Sequence, residues 1–498
     1  MTQKTLYPLL FLLLPATALG QGKEIYSTGL VDDLDAIKHM PMKKELLTRD
    51  YTSLPVRVSL KDYCPRAGSQ SYHGQGDYAT CTAWATTYAA MTIMEAIRWG
   101  WIDREIITDE AFSPLFVYAK TKFKEDDDCS IGIGLHTALP FLKDVGAPKF
   151  RNYNTPCADH VPRWVADEAA DHRITDYMKL FDDPYPSAEP AKKVRVTKKS
   201  IAERKPVIFA MDVPNSFDKA GEVWQGEMEE GEKLGKHSMC IVGYDDEKAG
   251  GAFLVLNSWG ESWGADGFTW VRYDDFVRYA NYAFEIFLGT DNTPVTTAPQ
   301  VNEQHAPIPA IAIADATEKT LAGSLSISLS TGESVEMGCT SKKSCPVYKA
   351  KDKFPTGSRF RLYLTNNAPA YVYVIGSDIE NKVDSVFPPD ALTSPALTYA
   401  NGTIALPGEQ WWAELDNNSS KNYFCVLYAT HALPMDRIMD FIANGEGNIA
   451  DKLTRALDTL CKGERVMPED IKCEEKGIAF SATTTGNIVP LVVEVNRH

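Results

Sequence analysis

The chain has 498 residues, enough for two or three domains. Its 44% hydrophobic and 24% charged content are ordinary for a folded globular protein. A net charge of −16 argues against nucleic acid as the main partner.

Residues 1–20 read as a signal peptide: Lys4, the apolar run Leu9 to Leu14, then Ala18-Leu19-Gly20 as a small–x–small cleavage site. No cysteine sits at the cleavage point, so no lipid anchor is expected there. No later apolar run is long enough to span a bilayer. The mature protein is therefore expected to be exported, periplasmic or extracellular, without stable membrane insertion. Residues 21–53 are a short, polar N-terminal segment.

The ten cysteines are Cys64, Cys81, Cys129, Cys157, Cys240, Cys339, Cys345, Cys425, Cys461 and Cys473. No Cys-x-x-Cys pair occurs, so no metal site is expected. If Cys81 stays free, at least one more must be unpaired, and Cys240 and Cys425, inside apolar strands, are the candidates. Cys339–Cys345 and Cys461–Cys473 are expected local disulfides, and Cys129–Cys157 is a further candidate pair.

The stretch His73-Gly74-Gln75-Gly76-Asp77-Tyr78-Ala79-Thr80-Cys81 feeds a cysteine into a helix-favouring run, Ala83 to Met94. Free N–H groups at a helix start favour a thiolate, so Cys81 is expected to be more acidic than a free cysteine, and a nucleophile. Further on lie Phe112 to Tyr118, an acidic turn Glu125 to Asp128 expected to be solvated, Cys129-Ser130-Ile131-Gly132-Ile133-Gly134, and a helix Leu135–Asp144. His160, Trp164 and Asp182-Asp183-Pro184-Tyr185-Pro186 suggest an elaborated connection. Lys192 to Lys199 alternates and reads as a solvated strand edge. A short helix, Ser200 to Lys205, stops at Pro206, and Val207 to Met211 is a buried strand.

Gly221 to Gly235, rich in glutamate and glycine, precedes His237 and is expected to border a cleft. His237 opens an apolar strand ending in Gly243-Tyr244, and a second strand, Ala252 to Leu256, delivers Asn257-Ser258-Trp259-Gly260. In a hairpin the start of one strand lies beside the end of the next, so His237 and Asn257 are expected neighbours. That is what a thiol nucleophile requires: a base, and an amide oxygen to orient it.

These stretches resemble the papain family of cysteine peptidases, whose chain order is Gln, Cys, His, Asn, the last in Asn-Ser-Trp-Gly. The similarity covers Leu54 to Gly289 and extends to Trp263, Gly264 and Gly267. It implies an α+β catalytic domain over 54–289 with a helical lobe and a β-barrel-like lobe. It also implies that Gln75 and the Cys81 N–H form the oxyanion hole, with Cys81 as nucleophile, His237 as general acid/base, Asn257 as its orienting residue and Trp259 shielding the triad. A glycine pair near a cysteine lines the substrate cleft in the family; here Gly132 and Gly134, separated by Ile133, stand in that place. Residues 21–53 are a possible propeptide, although no long amphipathic helix is present. The expected partners are a peptide or protein substrate and an inhibitor protein, with no cofactor.

Phe268 to Leu288 closes this domain with aromatic-rich strands, and 290–319 is a proline-containing linker. Residues 320–498 alternate over Ser324–Ser330, Arg359–Leu364, Ala370–Ile375, Val383–Phe387, Thr403–Leu406 and Tyr423–Tyr428. Only Met435–Ile442 and Ile449–Leu460 look helical. A mostly-β, sandwich-like domain is expected. It resembles an uncharacterised β-rich domain appended to secreted bacterial enzymes and kinases. Trp411-Trp412 is either an exposed platform or packed. The expected function is that of an exported cysteine peptidase acting through an acyl-enzyme. The alternatives are a cysteine acyltransferase or amidase on the same residues, and a catalytically silent peptide-binding protein.

Overall fold

The structure is a computed structural model describing residues 27–68, 74–158, 160–226, 233–288, 319–341, 343–378, 382–415, 420–474 and 477–497. The expected leader and nearly all of the expected linker lie outside these residues, as do 227–232 of the loop before His237.

The N-terminal half contains β1 (Arg57–Ser59), β2 (Asp176–Asp182), β3 (Val207–Pro214), β4 (Val223–Trp224), β5 (Lys233–Asp245), β6 (Ala252–Leu256), β7 (Phe268–Arg272) and β8 (Ala280–Phe287). They form one sheet in the order β2-β8-β3-β5-β6-β7-β4, with β1 paired to β5. β6 is an unbroken apolar run, β8 is apolar except for Asn281 and Glu285, and every residue of both is buried. The expected aromatic strands at the end of this half are interrupted by a helix, Tyr273–Tyr279.

Helices pack against this sheet around one shared core. The central one runs through residues 81–99, and its middle, Trp84–Met91, is wound as a π-helix. Thr86 there turns its hydroxyl back to the Thr82 carbonyl at 2.8 Å. Gly100, in the left-handed conformation at φ 69, ends the helix.

Residues 192–199 are not a strand edge. They belong to the helix Pro190–Ala202, with proline in its first turn. Lys193, Val196, Thr197, Ser200 and Ile201 form its buried face at helical spacing. Lys193 is no solvated cation: its ammonium donates to the carbonyls of Asp183, Val277 and Ala280 at 2.6–2.9 Å. The carbonyls, not a carboxylate, satisfy it, and burial pulls its pKa down to about 8.

The second half is a sandwich of a seven-stranded and a six-stranded sheet. Leu325, Leu362 and Leu364 from one sheet share a core with Val372, Val426 and Leu491 from the other. The helices Met435–Asn444 and Ile449–Leu460 cover the far side of the seven-stranded sheet. Strands Met337–Ser341, Val347–Phe354, Ile478–Thr484 and Ile488–Arg497 add to those expected. Trp411 is exposed, and the Arg361 guanidinium lies 3.9 Å over the Trp412 ring.

Cys129–Cys157 is the disulfide the structure forms. Cys339, Cys345, Cys461 and Cys473 are not disulfide-bonded, so the two local pairings expected from sequence proximity are not made. Cys240 and Cys425 are buried thiols.

The two halves are joined by the N-terminal segment. Met42 forms bridges to Lys179 on one side and Thr393 on the other. Leu47 N–H donates to the Thr403 carbonyl at 3.0 Å, and the Asp50 carboxylate accepts from Thr403 N–H at 2.7 Å. At the centre of the junction Glu285, with no exposed side-chain surface, accepts from Lys43 Nζ at 2.8 Å and from the Ser200 and Thr398 hydroxyls at 2.6 Å each.

Candidate active site

Cys81 opens the central helix directly after Thr80, and this turn is tied to the loop beyond the disulfide. Ala79 N–H donates to the Cys129 carbonyl at 2.8 Å, and the Thr82 hydroxyl donates to the Ile133 carbonyl at 2.8 Å. The backbone N–H of Ser238 on β5, next to His237, acts on the thiol in the direction that favours a thiolate.

The hairpin read from the sequence is β5–β6, with Cys240 opposite Leu256. His237 Nε2 and Asn257 Oδ1 lie 2.8 Å apart. Ser258 N–H donates to the same oxygen at 2.8 Å, so that atom is the acceptor and His237 Nε2 carries the proton. The lone pair of the neutral ring is then on Nδ1, which is buried and has no hydrogen-bond partner among the described residues. Trp259 stacks on His237 with centroids 4.7 Å apart, and Trp263 meets Trp259 edge-on at 5.4 Å.

Gln75 is fixed by the same loop. Its N–H donates to the Ser258 carbonyl at 2.8 Å, and its Oε1 accepts from the Ser258 hydroxyl at 2.6 Å. Gly74 makes this close approach possible: its φ is +96, and a Cβ there would lie 2.4 Å from the Ser258 oxygen. With Oε1 occupied, Nε2 faces the cleft, where it donates to the Ser27 carbonyl at 3.0 Å. Trp259 Nε1 donates to that carbonyl at 2.9 Å.

Residues 27–32 thus lie across the site as a peptide. Leu30 pairs in parallel with Ile133. Ile133 N–H donates to the Gly29 carbonyl at 3.1 Å, and Val31 N–H donates back to Ile133 at 3.2 Å. Leu30 N–H donates to the Lys236 carbonyl at 3.2 Å. Gly132, at φ +98, and Gly134 both lie under this segment: a Cβ would stand 2.0 Å from the Gly29 oxygen at one and 2.8 Å from the Val31 oxygen at the other.

The cover changes the electrostatics expected of the helix start. Cys81 has no exposed surface, and burial pushes its thiol up to about 11, against the N–H groups of Ser238, Gly29 and Thr82. Burial likewise pulls His237 down to about 4, against its bond to Asn257. In this closed form the thiol is therefore less acidic than a free cysteine, contrary to the sequence expectation: the covering segment removes the water that a charged pair needs.

Sequence reasoning missed two further parts of the site, Asp126 and the role of Ser258, and gave residues 27–32 only as part of a possible propeptide. Asp126, in the acidic turn expected to be solvated, is fully buried. Its carboxylate accepts from Ser130 N–H at 2.9 Å, Ile131 N–H at 3.1 Å and the Tyr118 hydroxyl at 2.6 Å. Tyr118 in turn accepts from Gly132 N–H at 2.9 Å, so the pair shapes the wall that contacts residues 29–31. Ser258 sets the orientation of Gln75. Residues 27–32 make mostly main-chain contacts, which leave no side-chain pattern. Among the described residues no cluster of His, Cys, Asp and Glu could hold a metal.

A family model described as papain family cysteine protease matches residues 123–284. A second, for a domain of unknown function, DUF4384, matches residues 353–432. An uncharacterized peptidase C1-like protein of Acanthamoeba polyphaga mimivirus is 24% identical over 239 residues, 43% of this chain and 68% of that protein. Among solved structures, xylellain, a cysteine protease from Xylella fastidiosa, is 21% identical with a TM-score of 0.42, covering 52% of this chain and 96% of that one. Bromelain from Ananas comosus, in complex with an inhibitor, is 18% identical with a TM-score of 0.37, covering 47% and 100%. The chain carries a papain-family C1 peptidase domain followed by a separate DUF4384 domain.

Proposed function

We propose that the protein is an exported cysteine peptidase, held here in a latent form by its own residues 27–32. The observation that carries this reading is the Ser27 carbonyl against Gln75 Nε2, beside a His237 ring held by Asn257 with its Nδ1 left free to act as a base.

Once the segment leaves, water and the helix-start N–H groups favour the thiolate of Cys81, with the proton on His237 Nδ1. The thiolate attacks a peptide carbonyl. Gln75 Nε2 and the Cys81 N–H receive the developing oxyanion, and one such donor is worth about 3–4 kcal/mol. His237 protonates the leaving amine, then takes a proton from water to release the acid from the acyl-enzyme. Asn257 keeps the ring oriented, and Trp259 shields that hydrogen bond from water. The leader features in residues 1–20 and the Cys129–Cys157 disulfide support an oxidising, exported location. Peptide substrates and inhibitor proteins are the partners this cleft suits.

Labelling with an epoxide-type cysteine-protease inactivator, beside Cys81→Ala and with the adduct located by mass spectrometry, tests the reading. A Cys81 adduct lost in the variant, with peptide cleavage that yields acid even when an amine is added, is the expected result. No adduct on Cys81 under conditions that displace residues 27–32 would refute it.

A further inference from the structure

Beyond the backbone contacts, one side chain of the covering segment enters a built polar site. Asp32 forms an ion pair with Lys236 Nζ, and Oδ1 accepts from the Tyr282 hydroxyl at 2.9 Å. Tyr282 has no exposed surface, and the Asp32 side chain is only 9% exposed. Both partners lie where the covering segment crosses the sheet: Leu30 N–H donates to the Lys236 carbonyl of β5, and Tyr282 on β8 lies opposite Ala210 of β3, which pairs with Ser238.

The chemistry of this site selects a carboxylate. A buried phenol with its hydroxyl aimed into a cleft needs an acceptor, because an unmet buried hydroxyl is costly. The ammonium beside it adds charge and range, and Asp212 Oδ1, 3.6 Å from Lys236 Nζ, helps orient that side chain. An apolar side chain in the same place would satisfy neither donor. A lysine or arginine would meet Lys236 as a like charge.

We propose that Lys236 and Tyr282 form a specificity subsite for an acidic side chain, which Asp32 occupies in the latent form and an aspartate or glutamate of the substrate occupies during turnover. This inference rests on the peptidase reading above and names its substrate class: peptides with an acidic residue at one fixed position near the cleaved bond.

The test uses the full chain. Inactivator labelling of Cys81 is timed in the wild type, Asp32→Ala, Tyr282→Phe and the charge swap Asp32→Lys with Lys236→Glu. A peptide library is then offered to Asp32→Ala and to Asp32→Ala with Lys236→Glu. Asp32→Ala is expected to label at least tenfold faster than wild type, Tyr282→Phe faster by a smaller factor, and the charge swap at close to the wild-type rate. Peptides cut by Asp32→Ala are expected to carry Asp or Glu at one position, and adding Lys236→Glu is expected to shift that position to Lys or Arg. Labelling no faster in Asp32→Ala overturns the subsite, since the carboxylate then contributes nothing to closure. Cleavage without acidic enrichment, or with enrichment indifferent to Lys236→Glu, overturns the subsite and leaves the peptidase reading standing. Labelling of Cys81 without cleavage of any peptide refutes the peptidase reading, and the subsite falls with it.

Discussion

Replacing Lys43 by methionine should destabilise the protein while loosening its covered site only a little. Lys43 lies between the cleft-covering residues and the second domain, and its ammonium is 2.8 Å from the buried Glu285 carboxylate. Burial alone would raise the Glu285 pKa; Lys43 and Lys205, with the Lys43 and Ser200 hydrogen bonds, overcome it and bring it from 4.5 to about 2. At 1.36 kcal/mol per unit, that depression corresponds to about 3 kcal/mol of stability at neutral pH. A carboxylate whose pKa is lowered on folding stabilises above its unfolded pKa and loses that contribution as pH falls through the folded value. The contribution should therefore be complete above about pH 5 and shrink to about 1 kcal/mol at pH 3. Urea denaturation of wild type and Lys43→Met at both pH values measures it, with Glu285→Gln, alone and combined with Lys43→Met, closing a double-mutant cycle. The double variant should regain part of the loss, because a neutral amide has no charge to leave unpaired. A loss below about 1 kcal/mol at pH 7, or one unchanged at pH 3, would show that water solvates Glu285 and that the junction is not electrostatic. Cys81 labelling in Lys43→Met should rise by only a small factor, since the tether to the cover stays uncut; a rate as high as that of a chain cut within 33–35 would refute this.

In Cys81→Ala, acid should loosen the cover. With no thiol to supply a proton, His237 is buried neutral with its pKa lowered to about 4, so the opened form of that variant binds more protons between pH 6.5 and 4, and closure weakens by up to about 1.4 kcal/mol per pH unit across that window. Hydrogen exchange at the Leu30 and Val31 amides of the variant, corrected for intrinsic rates, should report it; protection independent of pH there would refute the assignment. Alkylation of the denatured, unreduced protein should find one disulfide, Cys129–Cys157, and eight reactive thiols. Opening that loop by Cys157→Ser should cost about 3–4 kcal/mol on loop-closure entropy for a separation of 28 residues, read as a lowered urea midpoint.

The chemical groups of the site were legible because each sits in a locally constrained pattern. Cys81 opens an apolar helix, and His237 and Asn257 lie at adjacent ends of a hairpin whose register follows from two continuous apolar strands. Asp126 was not legible, since four acidic residues in a row look alike in sequence while only the fold says which carboxylate the turning N–H groups claim. Lys193 failed for a related reason. Alternating Lys and Val satisfies a strand pattern locally, and it took Pro190 and the more distant Ser200 and Ile201 to reveal the helical period. The cysteine pairings misled because nearness in sequence is a poor guide to facing side chains. Cys129 and Cys157, 28 residues apart, meet, while Cys339, at a bulge in a strand pair, and Cys345, in the turn between the two strands, do not.

The covering segment is short, and most of its bonds are those any peptide would make in this cleft. On contacts alone it would compete poorly with substrate. What favours it is tethering: a segment held at both ends of a short connection meets its site at an effective concentration in the millimolar range. The tether here is residues 33–41, and its far end is fixed by Met42, Leu47 and Asp50 against the second domain and by Lys43 against Glu285. A cut within the exposed positions 33–35 would leave residues 42–50 clamping the two halves while the cover, now a separate peptide, diffuses away. Detaching 42–50 instead would lengthen the tether without cutting it and weaken closure only slowly, since loop-closure cost grows with the logarithm of length. The two routes therefore differ in kind: cleavage makes opening complete, whereas movement of the second domain grades it.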